Sequence, residues 1–135
     1  MKRITMIMMI GVLICGILGG CNSTKLSDSF DEDTVTTAAK QVIDYMNSGD
    51  FDRVNAMLRE DCKELLTNEV LSDAVDKTYS KAGSFVEYKD SNIIGKKDKD
   101  TDYAIALVQA KYENQSVMFT ISFDTNMEVI GIYMK

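Results

Sequence analysis

Ser116-Val117-Met118-Phe119-Thr120-Ile121-Ser122-Phe123-Asp124 alternates without a break. Val117, Phe119, Ile121 and Phe123 fall on one face and Met118, Thr120 and Ser122 on the other, the period of two that a strand with one buried face requires. The same period holds from Phe85 onward. It predicts strands over residues 85–94, 102–112, 116–124 and 128–135, joined by turns at 95–101, Glu113-Asn114 and 124–127. Consecutive strands with short connections form an antiparallel meander, and a meander with one apolar face needs a cover.

Upstream of Phe85 the period is 3.6. Val35, Ala38, Ala39, Val42, Ile43 and Met46 make one helical face, Asp31, Glu32 and Asp33 offset the dipole at its start, and Gly49 stops it. Asp50 caps a second helix carrying Phe51, Val54, Leu58, Cys62 and Leu65; the pattern fits one helix to Leu66 or two with a break near Asp61. Thr67 caps a third, with Val70, Leu71, Ala74, Val75, Thr78 and Tyr79 inward and Gly83 as its stop. The expectation is an α+β domain: three N-terminal helices packed on a four-stranded antiparallel meander.

At the other end, Lys2 and Arg3 precede an apolar run over residues 4–18 that closes on Leu18-Gly19-Gly20-Cys21. The run is short for a membrane span, which needs about 20 apolar residues. A positive start, an apolar stretch and small residues ahead of a cysteine resemble a bacterial lipobox. This divides the chain into a lipoprotein signal peptide over 1–20, a polar tether over 21–32 and a domain over 33–135. Lipid on the Cys21 thiol would hold the mature chain on the extracytoplasmic face of a bacterial cell membrane.

Lys2 and Arg3 leave with that segment, so 13 of the 15 basic groups remain against 21 acidic ones. That excess of acid argues against nucleic acid, whose binding depends on neutralising phosphates. Of three cysteines only Cys62 lies in the domain, so no internal disulfide is expected.

Asp50-Phe51-Asp52, Met57-Leu58, Leu66-Thr67, Gly83-Ser84-Phe85, Ala110-Lys111-Tyr112-Glu113, Phe119-Thr120 and Val129-Ile130-Gly131 resemble the DUF3887 family over roughly residues 35–134. The resemblance implies an NTF2-like/cystatin-like cone, in which helices wrap a curved sheet and commonly enclose a pocket. It brings no established activity. A full NTF2-like sheet has more strands than the four read here.

Histidine is absent, which excludes imidazole catalysis. No spacing supplies another base for a serine or cysteine nucleophile, so no catalytic residue, metal ligand or cofactor is assigned. Cys62, on an apolar stripe, reads as a buried small hydrophobe. Asp98, Asp100 and Asp102 have the spacing that opens a calcium loop, but Tyr103 and Gln109 stand where glycine and glutamate are needed, leaving a charged hairpin turn. Asp50 and Asp52 read as a cap and a first-turn acid.

The strand tyrosines Tyr88, Tyr103, Tyr112 and Tyr133 are the candidate ligand contacts. Ala104, Ala106, Val108 and Ala110 give the second strand a small-residue face, which either lets helices pack close or leaves room for a ligand. The leading function is a non-catalytic, lipid-anchored binding or accessory domain for a small ligand or an envelope protein. The alternatives are a structural domain, with a homodimer formed face to face, and an Asp/Tyr-dependent enzyme.

Overall fold

Asp31 begins the ordered helical layer because its carboxylate accepts the Thr34 amide at 2.9 Å and the Thr34 hydroxyl at 2.9 Å. Those two bonds hold its carboxyl below the usual carboxylate range. Helix α1 (Glu32–Ser48) ends at Gly49, whose φ of 75° is the left-handed conformation that glycine adopts without a Cβ penalty. The computed structural model describes residues 13–14 and 23–135, the backbone alone for Leu13, Ile14, Ser23 and Thr24.

Asp50 caps α2 (Phe51–Met57) by accepting the Arg53 amide. The chain then leaves the helix at Leu58, not near Asp61. Leu58 is buried and pairs in parallel with Val129, and the Arg59 amide donates to the Val129 carbonyl at 2.9 Å. Cys62 therefore lies on a 3-10 turn (Glu60–Cys62) and not on a continued helical stripe. Thr67 caps α3 (Asn68–Ala82), which ends at Gly83.

Four strands form the meander: β3 (Phe85–Asp98), β4 (Thr101–Tyr112), β5 (Ser116–Phe123) and β6 (Val129–Met134). Two-residue strands extend it at its edges, β1 (Leu13–Ile14) against β6 and β2 (Ser23–Thr24) against β3. Three helices on an antiparallel sheet is the α+β arrangement expected, of NTF2-like/cystatin-like type. The remainder of residues 1–20 and Cys21 lie outside the described residues.

Two expectations change in detail. The turn read at 95–101 is only the tip Lys99-Asp100, because β3 continues to Asp98. Gly95 reads as a breaker, yet it sits inside the strand opposite Ala104. A Cβ there would stand 2.4 Å from the Lys25 carbonyl oxygen, so this glycine admits a crossing backbone. The stretch 21–32 reads as a tether, but its described part lies on the domain: Ser23 and Thr24 pair with β3, Leu26 packs on the core, and Phe30 is buried in it.

The register settles which face is inward. Ala104 opposes Phe123, Ala106 opposes Ile121, Val108 opposes Phe119 and Ala110 opposes Val117. The small face of β4 and the large face of β5 are thus one surface, and it packs with Val42, Ile43 and Met46 of α1 in a single core. Small beside large lets the α1 side chains interdigitate with the sheet.

Candidate functional site

Lys40, Asp44 and Asn47 recur at i, i+4 and i+7 along α1, flanking its buried stripe, and this spacing turns them toward one end of the sheet. There they meet two of the four candidate tyrosines. The Tyr112 ring is 1% exposed. Its hydroxyl lies 2.5 Å from Asn47 Oδ1, to which it donates, and 3.0 Å from the Tyr79 hydroxyl on α3. The Tyr88 hydroxyl donates to Asp44 Oδ1 at 2.5 Å and lies 3.0 Å from the Lys40 carbonyl, while the Lys40 ammonium sits 5.1 Å from the ring centroid.

Phe85 joins the pair, with ring centroids 4.9 Å from Tyr88 and 5.6 Å from Tyr112. Tyr79 stacks on Tyr112 at 4.9 Å. The resulting cluster staples α1 and α3 to β3 and β4 by hydroxyls whose bonding is already taken up within the fold.

The electrostatics point the same way. Burial, then the shared hydrogen bond with Tyr112, pushes the Tyr79 phenol up. Burial and the Asp44 carboxylate push Tyr88 up, and burial outweighs its hydrogen bonds in raising Tyr112. Such phenols stay neutral at physiological pH. They can donate a hydrogen bond, but they are poor proton shuttles, since a general acid or base needs a pKa near the operating pH.

The other two candidates are elsewhere. Tyr103 packs with Cys62 and Ile130 in a small separate cluster. Tyr133 opposes Thr120, on the sheet face turned away from the helices. Tyr79, Asn47 and Asp44 were not legible as partners of the strand tyrosines. The signal for Asn47 and Asp44 was the polar i, i+4, i+7 row beside the apolar stripe of α1, and for Tyr79 its place on the inward stripe of α3.

Between the sheet and α1 the centre of the interior is filled. Ala104, Ala106, Val108, Ala110, Phe119, Ile121, Phe123, Val42 and Ile43 have no accessible surface. A cavity able to hold a water would leave such surface on its walls, so these residues border none. An open concavity of about 330 Å³ lies instead on the outer side of α1, along Asp33, Thr34, Thr37, Ala38 and Gln41. Asp50 holds the α2 cap, and Asp52 accepts from Asn68 Nδ2 at 2.8 Å.

Cys62 is fully buried, its thiol 3.8 Å from the Ile130 carbonyl. Beside it Arg59 makes two bonds to Asp61, at 2.7 and 3.1 Å, and reaches the buried Asp124 at 3.6 Å. Asp124 also accepts the Asn126 and Glu128 amides, so the group locks the β5–β6 turn to the segment after α2. The Asp61 hydrogen bond raises Arg59 and, reciprocally, holds Asp61 below the carboxylate range. Among the described residues no three histidine, cysteine or carboxylate groups converge to hold a metal ion, and no helix is long and apolar enough to cross a membrane.

No curated protein matches the chain. An NMR structure of a protein from Ruminococcus gnavus ATCC 29149 is similar over 83% of this chain and 97% of its own, with a TM-score of 0.74 at 24% identity; at that identity the likeness shows the fold alone. A family model described as a protein of unknown function, DUF3887, matches residues 39–132. That span runs from the middle of α1 through the tyrosine cluster into β6, and the chain belongs to the DUF3887 family.

Proposed function

We propose that the mature chain is a non-catalytic, extracytoplasmic accessory domain, lipid-anchored through Cys21, that works by its outer surface on a protein partner at the cell envelope. The observation that carries the surface reading is the packed centre of the interior: Ala104, Ala106, Val108, Ala110, Phe119, Ile121 and Phe123 border no water-sized space, and the tyrosine hydroxyls that reach this layer are spent on Asn47, Asp44 and one another. Leu18-Gly19-Gly20-Cys21 supports the anchor. The acidic balance speaks against nucleic acid, and the raised phenols of Tyr79, Tyr88 and Tyr112 speak against proton-transfer chemistry.

Methyl NMR under xenon pressure tests the closed interior. No saturable shift is expected at the Ala104, Ala106 and Ala110 methyls. Saturable shifts there would reveal a cavity and return the small-ligand reading.

Self-association is the second reading, favoured by one observation. The face of the sheet away from the helices carries Ile94, Ile105 and Leu107, partly exposed, and Met118 at 38% exposure. Apolar residues gathered on one open face favour a partner surface. Sedimentation of the parent and of Leu107→Glu would separate the two: a parent dimer dissociated by the substitution supports self-association, and a parent monomer removes it.

A further inference from the structure

The segment that would join lipid to domain is fixed to the sheet within two residues of Cys21. Ser23 pairs with Lys96 and Thr24 with Gly95, and the Lys25 backbone crosses the strand where only glycine leaves room. Ser27 Oγ then donates to Asp102 Oδ2 at 3.0 Å. Two residues of chain span at most about 7 Å. Because β2 runs antiparallel to β3, the chain enters it from the side of Lys97 and Asp98, the tip of the β3–β4 hairpin.

Charge sets the hairpin tip apart from the helical layer. Lys96, Lys97 and Lys99 balance Asp98, Asp100 and Asp102 at the tip. Residues 31–82, the helical layer, carry twelve acids against six bases. An anionic bilayer repels that layer more strongly than it does the balanced tip, whose lysines it attracts. Lys97 is partly committed to Asp102, at 3.9 Å, which leaves Lys96 and Lys99 as the main contributors.

We propose that the domain stands end-on at an anionic phospholipid surface, with the Lys96–Thr101 hairpin tip against the headgroups and the β4–β5 turn pointing away. This rests on lipid anchoring at Cys21. The anchor sets the point of contact and the seated β2 strand sets the direction, so the tether acts as an orienting strut. Strand β4 alone, twelve residues long, separates the two ends by about 40 Å.

The test uses lipidated full-length protein, extracted from bacterial membranes and reconstituted in phosphatidylglycerol vesicles that contain a headgroup-nitroxide lipid. Fluorophores are placed at Asp100→Cys, on the exposed tip, or at Gln115→Cys, in the exposed β4–β5 turn; the buried Cys62 stays unlabelled. Quenching is expected to be several-fold stronger at position 100. Equal quenching at the two sites in a chain whose N-terminal peptide carries lipid would overturn the orientation alone. An N-terminal peptide without lipid would overturn the anchoring reading and the orientation with it. Gly95→Val, which drives a side chain into the Lys25 carbonyl, is expected to free the strut and reduce the contrast. A contrast undiminished in a folded Gly95→Val chain would overturn the role given to β2.

Discussion

Tyr112 illustrates what one residue does in this fold. Its ring fills the core beside Phe119 while its hydroxyl ties together Asn47 of α1 and Tyr79 of α3, so one side chain holds three elements. Burial raises the phenols of Tyr79, Tyr88 and Tyr112 above the ordinary tyrosine value of about 10. The unfolded chain releases those protons near pH 10 while the folded chain retains them. The folded state therefore binds more protons, and stability must fall as pH rises past 10. Urea midpoints measured from pH 8 to pH 11.5 are expected to decline, with a shallower decline in Tyr79→Phe; an unchanged slope in that variant would contradict the assignment. The alternation of β4 makes Tyr112 legible in sequence as a strand residue. Asn47 and Tyr79 are not legible as its partners, because they lie 65 and 33 residues away and only the fold brings them near.

At the scale of elements, caps were the most readable signal and long-range pairing the least. Asp50 and Thr67 each precede a helix with a side-chain oxygen that accepts an amide in the first turn, a rule written in local sequence, and Asp31, legible only as an acid that offsets the dipole, does the same for α1. Thr67→Ala is accordingly expected to cost about 1 kcal/mol by urea denaturation, with Thr67→Ser close to the parent. The break after α2 was not readable at its true position, since it depends on Leu58 pairing with Val129 at the far end of the chain. Gly95 misled for the same reason: a strand glycine and a turn glycine look alike until the crossing segment at Lys25 is in view. The β4–β5 pairing, in contrast, follows from strict alternation on both strands, and the observed opposition of Ala104, Ala106, Val108 and Ala110 to Phe123, Ile121, Phe119 and Val117 completes what the pattern began.

For the whole molecule, the period change at Phe85 separates a helical layer from a sheet, and their apolar faces leave each other as the available cover. The sequence does not say that the interior is closed, because a small-residue face serves packing and ligand room equally well. The register decides it by setting small side chains against large ones. The domain also starts earlier than composition suggests. Phe30 and Leu26 join the core and Asp31 caps α1, so a fragment of residues 23–135 is expected to melt cooperatively at a higher temperature than one of residues 33–135. Equal melting temperatures would show that the segment before α1 contributes nothing.

The central claim is that this closed, surface-acting domain works from a membrane through lipid on Cys21, and metabolic labelling with an alkyne fatty acid tests it most directly. The parent chain is expected to take up label and to fractionate with membranes, while Cys21→Ser remains unprocessed and unlabelled, since no other thiol stands at that point. Equal labelling of parent and Cys21→Ser, or none in either, would contradict the account.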